Sequence, residues 1–227
     1  MPAIVEVAKA KDIYTAADNT WATGYFYRPI DLGVDFAINA ATKYIVGHSD
    51  AMLGAIACRA ELFAEMKTVS AMFLGNCAGS EEMYLGLRGL RTLAVRLRQH
   101  QENALTVARW LSDHPAVDRV LYPALPDHPG HDIWKRDFSG ASGLLSVVLK
   151  PVDQAAAFAF ADGLEHFGLG ASFGGYESLV LPFDPSGYRT IEPWIGPGPA
   201  IRLHIGLEDT EDLIEDLDAG LAKLPAS

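Results

Sequence analysis

The feature that most restricts the fold of this chain is a succession of short apolar runs divided by helical segments. D-I-Y-T-A-A-D at 12–18 ends in an acid and reads as a buried strand. Phe36 to Ala40 reads as a second strand and Ala51 to Cys58 as a third. Strands separated by helical segments predict an α/β protein built on a parallel sheet. P-A-I-V-E-V-A-K-A-K has amphipathic helical spacing with a proline in its first turn, where a missing N–H costs nothing. Residues 61–73 read as helical, and Ser80 to Asp113 as one long helical stretch. A domain sheet usually holds about five or six strands. Only three are visible here before the texture changes, and the chain opens in a helix, so the pattern reads as a domain entered part-way.

After His114-Pro115 the texture differs. Val117 to Leu121, Leu144 to Leu149, Leu179 to Leu181 and Ile201 to Ile205 read as strands. Between them lie a helix from Gln154 to His166 and a Pro/Gly-rich loop from Ile191 to Pro199. T-E-D-L-I-E-D-L-D-A-G-L-A-K-L closes the chain with helical spacing and acids near its start, as the helix dipole favours. These changes place a boundary near Gly89, giving a first domain over 1–89 and a second over 90–227.

Composition narrows the partners. Hydrophobic residues make up 49%, enough for a sizeable core. With 18 Lys+Arg against 29 Asp+Glu the net charge is -11, which repels phosphate backbones and anionic membranes. The basic run R-G-L-R-T-L-A-V-R-L-R-Q-H reads as a helix with one charged face, not as a nucleic-acid contact. No apolar run approaches the length of a membrane span, and the first 20 residues lack the pattern of a signal peptide. A cytoplasmic protein without nucleic-acid or membrane partners is expected. Cys58 and Cys77 suit a reducing compartment, with a buried structural role expected for each and no metal site.

Two polar residues end neighbouring strands: Asp18 in A-D-N-T-W and Lys43 in A-A-T-K-Y. In open α/β sheets, functional groups gather outside the carboxyl ends of the strands. An acid and a lysine there can form a plain ion pair. They also suit pyridoxal phosphate, whose aldehyde takes a lysine amine and whose pyridine nitrogen is kept protonated by a carboxylate. Thr42 can offer its hydroxyl to the cofactor phosphate. Pattern alone leaves both readings open.

A-D-N-T-W-A-T-G followed by A-A-T-K-Y-I-V-G-H-S-D-A-M-L-G resembles the pyridoxal-phosphate-dependent enzymes of cysteine and methionine metabolism. R-G-L-R-T-L, H-P-G-H-D-I-W-K-R-D-F-S-G-A-S-G-L, S-F-G-G-Y-E-S-L and I-R-L-H-I-G-L-E-D fit the same family in the same order. The resemblance implies the C-terminal part of a fold type I (aspartate-aminotransferase-like) large domain, followed by a smaller α+β domain. It implies that Lys43 carries the cofactor and shuttles protons, that Asp18 pairs with the pyridinium nitrogen, and that Thr42 meets the phosphate. It also implies that Ser172 lines the site and that Arg202 holds the substrate α-carboxylate, a task suited to a bidentate fork. His48 and His204 are read as structural. Phe173 stands where this type of lyase often has tryptophan, a mild departure in the pocket wall.

The implied activity is α,β-elimination of an amino-acid thioether, cystathionine, with γ-elimination or γ-replacement as the alternative inside the family. The family's phosphate cup, its ring-stacking tyrosine and its N-terminal arm are supplied upstream of the matching region. A homo-oligomer (the family tetramer), or pairing with a separate N-terminal half, is therefore expected. A non-catalytic remnant lacking the cup is the competing reading.

Overall fold

The structure, a computed structural model, describes residues 1–194 and 196–225. The chain divides into two compact units: Met1–Ala94 with Asp137–Gly140, and Val95–Arg136 with Ala141–Ser227.

The first unit is built on a three-stranded sheet in the order β1 (Ala16–Asp18), β2 (Phe36–Ala40), β3 (Gly54–Cys58). β1 and β2 run parallel, with Ala17 opposite Ala37 and Asp18 opposite Ile38. β3 is antiparallel to β2, so the all-parallel sheet expected from the sequence is corrected at this strand. The reason is local: the turn that follows β2 brings the chain straight back, with no crossover helix to reverse it. The apolar run from residue 12 also overstates β1. Ile13 and Tyr14 stay exposed, and only the last three residues join the ladder.

Helix α1 (Pro2–Ala10) buries Val5 and Ala8, and Val5 packs with Ala17 and Val34. At one end of the sheet a buried carboxylate gathers all three strands. Asp35, just before β2, accepts the Thr15 N–H at 2.7 Å and its hydroxyl at 2.9 Å, and pairs with Arg59, just after β3, at 2.7 Å. Burial pushes the Asp35 carboxyl up, but the Thr15 hydrogen bonds and the Arg59 charge outweigh it and hold the group below its ordinary value. This leaves the other end of the sheet, where β1 and β2 finish, to carry Asp18 and Lys43.

A short helix, α2 (Thr23–Phe26), follows β1. After β3 come α3 (Ala60–Met66), a π-helical segment Lys67–Phe73, and α4 (Ser80–Leu90). Neither α3 nor the π segment contains a buried residue. Cys77, expected to be buried, is exposed in the loop before α4, with its Sγ 3.7 Å from Ala71 O; Cys58 is half-buried. The long helix expected over 80–113 is two: Arg91 and Thr92 break it, and α5 runs Leu93–Asp113. Its buried Leu97, His100, Ala104, Val107, Ala108 and Leu111 fall at helical spacing. Arg88, Arg91 and Arg98 are exposed as expected of a charged face, but Arg96 is buried.

The second unit holds a five-stranded sheet in the order β4 (Val117–Leu121), β5 (Leu144–Leu149), β8 (Ala200–His204), β7 (Leu179–Phe183), β6 (Gly168–Leu169). All neighbours are antiparallel except the β6–β7 pair. β6 is too short to show in the sequence. α6 (His131–Asp137) follows β4, and α7 (Gln154–Asp162), capped by the Asp153 carboxylate on the Ala156 N–H, follows β5. α8 (Thr210–Leu221) is capped in the same way by Asp209 and buries Leu213, Leu217 and Leu221. The central strand β8 is buried at Ala200, Ile201, Leu203 and His204, with Arg202 the half-buried residue among them.

Candidate active site

In the first unit, Asp18 is the last residue of β1, and Lys43 stands three residues beyond β2. The register that sets Asp18 opposite Ile38 brings both to the same, C-terminal, end of a parallel strand pair. The chain past β2 turns at once. Lys43 N–H donates to Ala40 O at 3.0 Å, Val46 N–H to Ala41 O at 2.8 Å, and Gly47 N–H to Lys43 O at 2.8 Å. The turn closes through left-handed backbone at Gly47 and Ser49, on either side of exposed His48. Lys43 is half-buried inside this turn, while Asp18 is exposed.

Asp18 does not stand unsupported. Its Oδ1 accepts the Thr20 N–H at 2.9 Å and the Thr20 hydroxyl at 2.6 Å. Its Oδ2 takes no hydrogen bond among the described residues and is open to a further donor. Thr42 uses its hydroxyl locally: Leu53 N–H donates to it at 2.8 Å, and it donates to Leu53 O at 3.2 Å. Since Leu53 O already receives the Thr42 N–H at 2.9 Å, the hydroxyl proton can turn to an anion without orphaning that carbonyl.

Helix α4 sets the position of the turn. Gly89 lies so close to it that an added Cβ would overlap the carbonyl oxygens of Ile45 and Val46. No residue but glycine lets the helix approach this far.

In the second unit, Arg202 sits at the centre of the sheet, between Ser146 on β5 and Leu181 on β7. Partial burial lowers its pKa from the ordinary value. One guanidinium nitrogen reaches Ser172 O at 3.4 Å, so the backbone of S-F-G-G-Y-E-S-L lies beside it; the Ser172 side chain is exposed. That loop is stitched to the strand carrying Arg202. His204 Nε2 lies 3.0 Å from the Gly174 amide nitrogen and 3.2 Å from Gly175 O. Leu207 N–H donates to Tyr176 O at 2.8 Å and Gly206 N–H to Ser178 Oγ at 2.8 Å. Glu208 accepts from both the Ser178 N–H and its hydroxyl. Behind them, buried His100 holds Ile205 O at 2.8 Å. The H-I-G-L-E part of the second motif thus anchors the first.

Sequence reasoning missed Thr20, Ser178 and Glu208, and read His204 only as structural. All four lie inside the quoted motifs, which was the available signal.

An amine-bearing turn and a half-satisfied carboxylate at the end of paired strands form the donor set that an aldehyde-bearing pyridine cofactor requires. Residues 1–222 match the family described as Cys/Met metabolism PLP-dependent enzyme. The chain belongs to that family. Its cofactor is pyridoxal phosphate. The cystathionine β-lyase MetC of Escherichia coli (strain K12) is 46% identical over 230 residues, covering 99% of this chain and 58% of that protein. The L-alanine/L-glutamate racemase of Wolbachia pipientis wMel is 46% identical over 224 residues, covering 98% of this chain and 55% of that protein. A crystal structure of cystathionine γ-synthase from Xanthomonas oryzae pv. oryzae, in complex with aminoacrylate and cysteine, superposes with a TM-score of 0.88. It is 40% identical, covering 97% of this chain and 58% of that one. The chain therefore has the α/β fold of the type I enzymes and spans somewhat over half the length of the relatives it matches. Among the described residues no helix is long and apolar enough to cross a membrane, and no cluster of metal-ligating side chains occurs.

Proposed function

We propose that this chain carries the lysine, the acid and the carboxylate clamp of a carbon–sulfur β-lyase that splits cystathionine into homocysteine, pyruvate and ammonia. The supporting observation is the pairing at the ends of β1 and β2. Asp18 has one oxygen held by Thr20 and the other open, and Lys43 is half-buried in the adjoining turn. When bound, pyridoxal phosphate supplies an aldehyde for the amine and a ring that draws electrons from the substrate α-carbon. The Asp18 carboxylate would receive the pyridinium N–H, and the Thr42 hydroxyl would donate to the phosphate. Arg202 grips the substrate α-carboxylate as a bidentate fork, and Ser172 lines the site beside it. The Lys43 amine would take the substrate α-proton at Nζ and hand a proton to the departing thiolate.

In this reading residues 1–89 are part of the cofactor domain and 90–227 the C-terminal domain. The working protein is a cytoplasmic homo-oligomer that acts on small thioether amino acids. The likeness to a cystathionine γ-synthase favours a second reading, γ-chemistry on the same scaffold. The phosphate cup is a separate question. A non-catalytic remnant is the remaining reading.

Incubation with cystathionine and cofactor separates these readings. Pyruvate with homocysteine supports β-elimination, and 2-oxobutyrate with cysteine supports γ-elimination. Absence of both, with no visible absorption from bound cofactor, supports the remnant.

A further inference from the structure

We propose that Thr20 is the positioning residue of this site: it fixes the Asp18 carboxylate and ties it to the strand that leads to Lys43. The proposal rests on the reading of Asp18 as the cofactor's acid, and goes beyond it by naming what aims that acid.

Thr20 is 6% exposed, and its N–H and hydroxyl together make three hydrogen bonds. Its N–H and its hydroxyl both donate to Asp18 Oδ1, at 2.9 and 2.6 Å. The same hydroxyl oxygen accepts the Ala40 N–H at 2.9 Å. Ala40 is the last residue of β2, and its carbonyl receives the Lys43 N–H at 3.0 Å. An unbroken chain of hydrogen bonds thus runs from the Asp18 carboxylate, through one hydroxyl, to the backbone of the lysine's turn. Next to it, Asn19 N–H donates to Ile38 O at 2.7 Å, continuing the β1–β2 ladder past Asp18.

The hydroxyl is the group that matters chemically. Donors on a carboxylate are charge-assisted and roughly twice as strong as neutral ones. Two of them on Oδ1 restrict the side chain to one rotamer while Oδ2 remains free for an outside donor. A hydroxyl can donate to one group and accept from another at once, so Thr20 sets carboxylate and strand end with a single atom. An exposed aspartate without such support would sample several rotamers, and an acid that must meet a ring N–H would be found there only part of the time.

The test is a double-mutant cycle on the full chain with pyridoxal 5'-phosphate as the probe. The readout is the cofactor concentration that gives half-maximal borohydride-fixed label on the Lys43 peptide, measured by mass spectrometry. Hydrogen exchange of the Ala40 amide serves as a second readout independent of the cofactor. Thr20→Val should raise the half-labelling concentration about tenfold or more and speed exchange at Ala40. Thr20→Ser, which keeps the hydroxyl, should restore both. In an Asp18→Asn background, adding Thr20→Val should shift labelling less than threefold, because the carboxylate it aims is gone. If Thr20→Val does not fold, judged by circular dichroism, Thr20→Cys takes its place, since a thiol is too weak a donor to hold the carboxylate. An equal effect of Thr20→Val in both backgrounds overturns the proposal, as does failure of serine to rescue. If Asp18→Asn alone labels like the parent, the acid assignment itself fails and the role of Thr20 falls with it.

Discussion

Gly89→Ala is the substitution whose effect follows most directly from the packing around Lys43. A Cβ at position 89 would lie 2.9 Å from the Val46 carbonyl carbon and closer still to the oxygens of Ile45 and Val46. Carbon atoms pack at about 3.5–4.0 Å, so α4 and the turn must separate by something near 1 Å. Both partners are backbone, and neither can rotate away. Overpacking of this kind costs about 1–3 kcal/mol, against which alanine returns up to about 1 kcal/mol of helix propensity. The net of roughly 0–3 kcal/mol makes the melting temperature an indecisive readout. Position is the better readout, because a displacement of about 1 Å at a reacting group can cost on the order of a hundredfold.

Gly86, one turn earlier on the same helix, is the internal control. Its added Cβ would meet only Leu53 Cδ2, at 2.5 Å, the end of a half-buried side chain that can turn aside. At a fixed cofactor concentration with borohydride trapping, Gly89→Ala should reduce label on Lys43 at least tenfold, and Gly86→Ala by less than twofold. Equal labelling by the two variants, in either direction, would refute the claim that α4 sets the lysine's turn.

Three further outcomes are expected. Arg202→Lys should weaken substrate binding by about 2–5 kcal/mol, as loss of a partly desolvated charge contact does; the visible spectrum of bound cofactor should not change, and an unaltered Michaelis constant and rate would remove Arg202 from the site. His100, buried and held by Ile205 O, has its pKa lowered from 6.5 to about 4 by desolvation, with Arg96 adding to the fall. The unfolded chain therefore takes up the proton first, and stability present above pH 6.5 is lost as pH drops toward 4, by about 3 kcal/mol in all; chemical denaturation of a His100→Gln variant should show this acid loss reduced. The first unit exposes Ile38, Ile56, Phe63, Met72 and Phe73 on β2, β3 and the segment after it. Such an apolar surface drives association, so sedimentation velocity of this chain alone should show self-association that grows with concentration, and a strict monomer would contradict it.

How much of this was legible in the sequence differs from place to place. The strand at Phe36–Ala40, and the placement of Asp18 at one strand end and Lys43 just past another, could be read because short apolar runs ending in polar residues have few other interpretations. The direction of β3 could not. Periodicity reports which residues are buried and says nothing about which way a strand runs. The break at Arg91–Thr92 was hidden because both residues are tolerated inside helices. The apolar start of β1 misled because Ile13 and Tyr14 look like core residues, yet both stay exposed, Tyr14 meeting Phe36 edge-on. Thr20, Ser178 and Glu208 escaped notice for another reason: they act through hydrogen bonds to residues distant in the chain or to backbone, which composition and spacing do not encode. His204 was visible as a histidine, but its partner, the Gly174 amide, could be found only in three dimensions.

Everything proposed for the site depends on Lys43 being the amine that carries the cofactor. The direct measurement is to saturate the chain with pyridoxal 5'-phosphate, alone and with any complementary N-terminal chain supplied, reduce with borohydride, digest, and locate the fixed label by mass spectrometry. The label should accumulate on the peptide holding Lys43 and be lost from it in Lys43→Ala together with elimination activity. A label concentrated on any other lysine, with Lys43 unmodified at saturating cofactor, would contradict it.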